Sequence, residues 1–156
     1  MDRPETVSTL KQLYRDSIRQ HAANPVGFRK SIEPTHHHEG LNPQCGDRIE
    51  IFLKISAGMI EDITFEGEAC VICMASASLM CEHLTGQAVE SFNEQKHTLE
   101  SALKAREGQS EIGVFSPLLG VRPYPSRIQC ATLPWNTAVQ ALKNGTIGME
   151  KSVPGD

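Results

Sequence analysis

Aromatic residues are scarce in this sequence and positive charge is not in excess, and both shortages limit what the chain can bind. Phe, Trp and Tyr make up 5% of the residues, and 15 Lys and Arg stand against 19 Asp and Glu, for a formal net charge of −4. Nucleic-acid binders use cations that follow the phosphates or aromatic faces on which bases stack. We therefore expect no nucleic acid among its partners.

Long apolar runs are missing as well. The longest run, residues 69–75, is far too short to cross the hydrocarbon core of a bilayer, which is about 30 Å thick. The first ten residues, MDRPETVSTL, are charged and contain no apolar export segment. We expect a cytoplasmic protein without membrane contact, whose five cysteines serve as ligands, nucleophiles or core residues rather than as disulfides.

Two neighbouring segments alternate between apolar and polar residues, as half-buried strands do. Apolar side chains occupy every second position over residues 49–55, and a second alternating segment follows a tight turn at residues 60–65. Together these segments predict an antiparallel hairpin. A third strand is predicted before it, around Arg29–Glu33.

Four segments have the apolar spacing or the composition of helices. They are residues 7–21, 70–84, 89–106 and the segment from residue 126 onward. Residues 108–125 contain three glycines and three prolines and are predicted to form a loop with at most a short helical turn. Pro134 predicts a kink or a restart in the last helix, because a proline there removes one backbone hydrogen bond.

These elements predict an α+β fold, in which a small antiparallel sheet of about three strands is flanked by α-helices. We expect one domain over residues 1–156, with flexible tails at residues 1–6 and 146–156.

The densest chemical motif is NPQCGD at residues 42–47, just before the hairpin. Gly46 lets the chain bend so that Cys45 and Asp47 can face one point. A thiolate and a carboxylate two residues apart make half of a compact zinc or iron site. The alternative is an ordinary turn with a surface cysteine.

Two further cysteines lie at the starts of predicted helices. Cys70 opens the second helix, and Cys130 lies in the first turns of the last one, three residues after Arg127. Free N–H groups at a helix start favour a thiolate, which is a better ligand or nucleophile than a thiol, and a nearby cation acts in the same direction. Spacing alone does not show that three distant thiols meet.

The remaining cysteines and a histidine run are expected to have no role in chemistry. Cys73 and Cys81 lie inside a helix of small residues, where a free cysteine behaves as a small hydrophobe; for Cys73 the alternative is a Cys70-x-x-Cys73 dithiol. The run from His36 to His38 is expected in a solvated loop. Three consecutive side chains point in different directions there and cannot all bind one ion.

Six stretches resemble the IscU/NifU-N-terminal type of iron–sulfur cluster assembly protein, most closely its SufU branch. They are LYR at 13–15, NP at 24–25, NPQCGDRI at 42–49, FEGEAC at 65–70, MASASLM at 74–80 and RIQCATL at 127–133. The resemblance extends from residue 10 to about residue 145 and includes three separated cysteine blocks in the family's order.

The resemblance implies one exposed metal site, built from Cys45, Cys70 and Cys130 with Asp47 beside them. Two differences from the scaffold branch favour the SufU branch. Gln129 stands where the scaffold branch usually has a histidine, and the chain carries both the 108–125 insertion and Arg127. Members of the SufU branch bind zinc and accept sulfur from a cysteine desulfurase.

Two functions follow from this resemblance, and a third hypothesis comes from a different class of protein. In the first, Zn²⁺ is held by the four site residues and Cys45 accepts persulfide sulfur from a SufS-type desulfurase, which would make the chain a zinc-dependent sulfurtransferase. In the second, a labile [2Fe–2S] cluster is built on the same ligands and passed to downstream acceptor proteins. In the third, the chain is a structural zinc-binding interaction module. Arg127 is expected either to steer a partner or to tune Cys130.

Overall fold

The computed structural model describes residues 3–105 and 111–144, with side chains from residue 10 onward. The elements in chain order are α1 (Arg3–Ala23), β1 (His36–Asn42), β2 (Asp47–Ser56), β3 (Met59–Glu68), α2 (Val71–Leu84), α3 (Val89–Lys104), a 3₁₀ helix (Gly113–Val121) and α4 (Pro125–Asn144). The predicted α+β class, with a small antiparallel sheet and flanking helices, is confirmed.

The sheet has the order β1-β2-β3, and both pairings are antiparallel. The predicted hairpin is confirmed as β2 and β3, in which Ile51 lies opposite Phe65 and Leu53 lies opposite Ile63. These four side chains are between 0% and 2% exposed. The alternation therefore directs one face of the sheet into the core, as expected for strands of period two.

The third strand is not where the sequence predicted it. Residues 29–33 form no strand, and β1 instead covers His36–Asn42, including the histidine run that was expected in a loop. The sequence of β1, HHHEGLN, does not alternate between apolar and polar residues, because both faces of the strand carry polar residues. Next to the predicted position, Phe28 forms an isolated bridge with Phe65.

The histidines of β1 do point in different directions, as predicted. His37 Nδ1 lies 3.2 Å from the carboxylate of Glu50 on β2. His38 Nδ1 lies 3.0 Å from the side-chain amide nitrogen of Asn144 at the end of α4. Successive residues of β1 therefore alternate between the two faces of the sheet: His37 lies on the face away from α4, and His38 lies on the face that packs against α4.

The helices are confirmed, with changes at their ends. Helix α1 begins at Arg3, earlier than predicted, and ends at Ala23, directly before Asn24 and Pro25. Residues 3–6 of the predicted N-terminal tail belong to this helix. Residues 1–2 and the predicted tail at 146–156 lie outside the described residues.

One expectation about the C-terminal half is wrong, and of the two alternatives for Pro134 the restart is absent while the kink stays a prediction. Residues 113–121 form a nine-residue 3₁₀ helix rather than a loop, because Phe115, Leu118 and other apolar residues of this segment are buried. Helix α4 continues through Pro134 without a restart. Trp135 is 0% exposed and packs on Phe92 and Phe115, and this burial offsets the proline's cost of about 3 kcal/mol.

Helices α2 and α4 are joined by a buried hydrogen-bond network. The hydroxyl of Ser76 donates to the carbonyl of Ala131 at 2.6 Å and accepts from Trp135 Nε1 at 3.0 Å. Cys73 and Cys81 lie in the core of α2, at 0% and 2% exposure, which confirms the packing prediction. The network sets the relative position of the two helices whose first turns carry Cys70 and Cys130.

No helix in the described part of the chain is both long and apolar enough to cross a membrane.

Candidate metal and sulfur site

The turn between β1 and β2 presents Cys45 to solvent and Asp47 to the interior. The backbone N–H groups of Cys45 and Gly46 both donate to the carbonyl of Asn42, at 3.1 and 2.8 Å. Gly46 has φ of 76°, a left-handed conformation that glycine adopts without steric cost. Cys45 is exposed, whereas Asp47 at the start of β2 is only 3% exposed.

The fold brings Cys130 from the start of α4 to this turn. One candidate ligand atom from each of Cys45, Asp47 and Cys130 lies within 4.8 Å of the other two. The two sulfur atoms are 3.7 Å apart. A tetrahedral zinc with Zn–S bonds of about 2.3 Å separates its sulfur ligands by about 3.8 Å. The spacing of the two thiols therefore suits a shared zinc ion.

Cys70 borders this group from the start of α2. It is the N-cap residue of the helix, and its sulfur accepts a hydrogen bond from the Cys73 N–H at 3.4 Å. Its own N–H donates to Asp47 Oδ1 at 2.8 Å, and its thiol interacts with that of Cys130. Three of the four predicted residues thus form a compact group, and the fourth is in contact with it.

The environment of Cys130 favours its neutral thiol. Burial raises the pKa of Cys130 above its ordinary value, and hydrogen bonding with Cys70, Asp47 and Cys45 raises it further. This direction is opposite to the thiolate form expected for a cysteine near a helix start and Arg127, and Arg127 is not among the groups that shift the pKa. The Arg127 guanidinium instead lies over the ring of Tyr124, 4.6 Å from its centroid.

A cation at the site would reverse this preference, because it replaces mutual repulsion of thiolates and carboxylate by attraction to a shared positive charge. Such a cation would also satisfy a buried oxygen. Asp47 Oδ2 has no hydrogen-bond partner among the described residues, and leaving a buried carboxylate oxygen without a partner is costly. Two thiols, one carboxylate and a neighbouring third thiol are ligands that zinc accepts. The residues therefore fit a zinc ion.

The sequence analysis did not identify two residues as parts of the site. Asn42 was identified only as a turn former, yet it lies directly opposite Asp47 in the β1–β2 register and is 7% exposed. Gly67 was identified only as a break between elements. It has φ of 142°, and a Cβ there would collide with the carbonyl of Arg48, next to Asp47. The strand register reveals both roles, and the motif letters alone do not.

A surface cleft of about 440 Å³ lies between α1, the 3₁₀ helix and the starts of α2 and α4, the two helices whose first turns carry Cys70 and Cys130. Its cations are Lys11, Arg15 and Arg127. Exposed apolar side chains near the same helix ends include Val71 at 53% and Tyr124 at 49% exposure. The site is thus flanked by a cationic and partly apolar surface.

Comparisons with known proteins identify the family of this chain. The family model described as the NifU-like N terminal domain matches residues 13–144. The zinc-dependent sulfurtransferase SufU of Bacillus subtilis (strain 168) is 35% identical over 140 residues, which cover 88% of this chain and 92% of SufU. The iron–sulfur cluster assembly scaffold protein IscU of Thermotoga maritima is 36% identical over 138 residues, covering 85% of this chain and 94% of IscU.

A solved structure shares the fold. The crystal structure of the SUF-system protein FiSufU from thermophilic Fervidobacterium islandicum AW-1 matches with a TM-score of 0.70 and 28% identity, covering 81% of this chain and 93% of FiSufU. The match of the family model spans all the cysteines of the site and nearly every element of the fold. The chain therefore belongs to the NifU-like N-terminal domain family, within which its relatives are named SufU and IscU.

Proposed function

We propose that this chain acts in iron–sulfur cluster assembly as a zinc-dependent sulfur acceptor, which takes persulfide sulfur from a SufS-type cysteine desulfurase through Cys45. The observation that carries the proposal is the compact group of Cys45, Asp47 and Cys130, in which Cys45 is the exposed thiol. It is supported by 35% identity, over 88% of the chain, to a protein named a zinc-dependent sulfurtransferase.

In this proposal the zinc ion is held by Cys45, Asp47 and Cys130, and Cys70 supplies the fourth ligand. Cys70 can keep the hydrogen bond that its sulfur accepts from the Cys73 N–H, because a metal-bound thiolate is a good acceptor. Zinc, when bound, keeps its cysteine ligands deprotonated at neutral pH. Asp47 is the harder and weaker ligand beside three thiolates.

Cys45 is the sulfur acceptor because it is the thiol that a partner can reach. Its thiolate attacks the terminal sulfur of the desulfurase persulfide, and a new sulfur–sulfur bond forms at Cys45. The sulfur–sulfur bond within the desulfurase breaks, and its cysteine leaves as a thiolate. One sulfur atom moves without net oxidation or reduction. Gly46 lets the turn adjust as Cys45 engages its partner.

The desulfurase is proposed to dock over the cationic cleft beside the site. Lys11, Arg15 and Arg127 supply positive charge there, and Val71 supplies exposed apolar surface. Arg127 is assigned to steering the partner rather than to tuning Cys130, because its guanidinium lies over Tyr124 and is not among the groups that shift the pKa of Cys130.

A transfer assay with the purified desulfurase and a labelled persulfide tests this function. The Cys45→Ala variant should lose sulfur acceptance and keep a wild-type circular dichroism spectrum. The matched control is Cys81→Ala, which removes a thiol from the core of α2 and should keep sulfur acceptance. Full transfer to the Cys45→Ala variant would refute the proposal.

A cluster scaffold is the second candidate, because a protein named an iron–sulfur cluster assembly scaffold is 36% identical over 85% of the chain. In this case a [2Fe–2S] cluster is cargo that the same residues hold and release to acceptor proteins. Anaerobic purification followed by metal analysis and absorption spectroscopy separates the two. Stoichiometric zinc without visible charge-transfer bands favours the sulfur acceptor, and iron with such bands favours the scaffold.

A further inference from the structure

The side chain of Asn42 carries a hydrogen-bond donor with no acceptor at the edge of the metal and sulfur site. Asn42 is the last residue of β1 and is 7% exposed. Its Nδ2 is buried and has no hydrogen-bond partner among the described residues. An amide donor buried without an acceptor is unfavourable. Its position therefore needs an explanation beyond packing.

A complementary acceptor lies directly across the strand pair, yet the two do not bond. Asp47 is opposite Asn42 in the β1–β2 register, and its Oδ2 is also buried without a partner. Since the Asn42 amide and the Asp47 carboxylate oxygen do not bond to each other, we look for a separate partner for each of them. For Asp47 Oδ2 the fitting partner is the cation of the site. For Asn42 Nδ2 the fitting partner is a hydrogen-bond acceptor at the same place, and the nearby thiols become such acceptors when they are deprotonated.

The strand register puts Asn42 on the face of β1 that packs against α4. His38 reaches Asn144 on α4, and Gly40 packs against Thr137. Alternate residues of β1 thus meet α4 progressively closer to its start, where Cys130 lies. Asn42 is the next residue on that face. Its backbone carbonyl also accepts from the N–H groups of Cys45 and Gly46, which ties Asn42 to the other thiol.

We propose that the Asn42 amide is a positioning residue that donates hydrogen bonds to the Cys45–Cys130 sulfur pair once these sulfurs are metal-bound thiolates. A neutral thiol is a weak acceptor, whereas a thiolate is a good one. Hydrogen bonds to metal-bound ligands orient them and raise metal affinity. The inference rests on the proposed zinc site and deepens it, because it identifies a residue that supports the thiolate form without touching the metal.

The test is zinc affinity, measured by competition with a chromophoric chelator, in the uncharged variants Asn42→Leu and Asn42→Val. Both variants keep approximately the side-chain size and remove the N–H donor. We expect each to bind zinc about 10- to 100-fold more weakly than wild type, the range for loss of such a supporting hydrogen bond. The matched control is Asn136→Leu on the exposed side of α4, which should keep wild-type affinity.

Stability of the metal-free protein separates this role from a structural one. Because Nδ2 has no partner among the described residues, metal-free Asn42→Leu should unfold at the wild-type temperature or above it. A residue that merely held the turn would lower the unfolding temperature of the metal-free protein. Loss of folding in Asn42→Leu would accordingly overturn the proposal, as would wild-type zinc affinity in both variants.

Cobalt substitution supplies a spectroscopic measurement of the sulfur atoms themselves. A hydrogen bond to a thiolate lowers the energy of its donor orbital, so the sulfur-to-Co²⁺ charge-transfer band of Asn42→Leu should shift to longer wavelength. An unshifted band would contradict the proposal. If wild type itself binds neither zinc nor cobalt, the proposed function fails; if wild type binds and the variants match it, only the role of Asn42 fails.

Discussion

At the scale of single residues, the site depends on side chains that serve the fold and the chemistry at once. Asp47 is the clearest case. Its Oδ1 accepts from the N–H of Cys70 at the start of α2, while its Oδ2 has no hydrogen-bond partner in the part of the chain that the structure describes and can therefore bind a cation. One carboxylate thus joins the first strand of the hairpin to the helix that carries the third thiol.

Two substitutions of Asp47 separate these roles. Asp47→Asn keeps an oxygen for the Cys70 N–H but removes the charge, so it should weaken zinc binding with little change in metal-free stability. Asp47→Ala also removes the acceptor of the Cys70 N–H. It should therefore lower the free energy of unfolding by about 1–2 kcal/mol more than Asp47→Asn does. Urea unfolding of the metal-free variants checks the difference, and equal stabilities would contradict the role of Asp47 as acceptor for the Cys70 N–H.

Gly67 is expected to be intolerant of any side chain. Gly67→Ala adds a Cβ that collides with the backbone of Arg48 at a φ of 142°, so it should displace the start of β2 and weaken metal binding. Gly58→Ala is the matched control, since Gly58 also has positive φ but open space around it; it should cost about 1 kcal/mol and leave metal binding unchanged. Equal losses in both variants, measured by urea unfolding and zinc titration, would show that the close contact is unimportant.

His21 predicts a pH dependence of stability. Its side chain is 18% exposed, and burial lowers the pKa of His21, partly opposed by Glu82 and assisted by His83. The neutral ring lies 2.7 Å from the Ser78 hydroxyl. The pKa of His21 in the folded protein is below its value of about 6.5 in the unfolded chain. The stability that neutral His21 contributes is therefore fully present above about pH 6.5, and it is lost as the pH falls through the folded-state pKa.

The measurement is urea unfolding of wild type and His21→Gln at pH 7.5 and pH 5.5. Wild type should lose more stability than the variant on acidification. The exposed His97→Gln is a control that should follow wild type. If His21→Gln loses as much stability as wild type, His21 does not contribute to the pH dependence.

At the scale of elements, the apolar hairpin was predictable and its polar edge strand was not. Residues 49–55 alternate cleanly because one face of β2 enters the core. In β1 only Asn42 is buried. The strand therefore shows no alternation of apolar and polar residues from which it could be predicted. The 3₁₀ helix was missed for a related reason: its glycines and Pro117 indicate a loop, whereas tertiary burial of Phe115 decides the outcome.

The same distinction applies to the site. The turn chemistry of residues 42–47 predicted that Cys45 and Asp47 face one point, and this is confirmed by the group that they form with Cys130. The predicted helix starts singled out Cys70 and Cys130, and the family resemblance, not spacing, placed them in one site with Cys45 and Asp47. The roles of Asn42 and Gly67 required the strand register, which the residue letters do not specify.

The link between α2 and α4 should be the most sensitive contact between elements. Ser76→Ala removes the partner of the Trp135 indole N–H and of the Ala131 carbonyl. Leaving these buried groups unpaired should lower the free energy of unfolding by about 1–3 kcal/mol. The exposed Ser101→Ala on α3 should change it by about 0.5 kcal/mol or less. Equal effects of the two variants in urea unfolding would contradict this role.

At the scale of the whole molecule, the core is large enough to fold without a metal. The fully buried side chains include Trp135, Phe65 and Phe92, and they lie in one cluster of sheet and helices. We therefore expect the protein to keep a cooperative thermal transition after treatment with a chelator. Added zinc should raise the midpoint by mass action, about 2.7 kcal/mol of stabilisation at one hundred times the dissociation constant. Complete unfolding by the chelator would favour a structural zinc module.

The central claim is that the fold gathers the cysteine thiols and Asp47 around one zinc ion, and X-ray absorption at the zinc edge tests it most directly. The purified protein should contain one zinc per chain, with about three sulfur ligands near 2.3 Å and one oxygen near 2.0–2.2 Å. A protein without zinc, or a zinc shell of oxygen and nitrogen alone, would contradict the account.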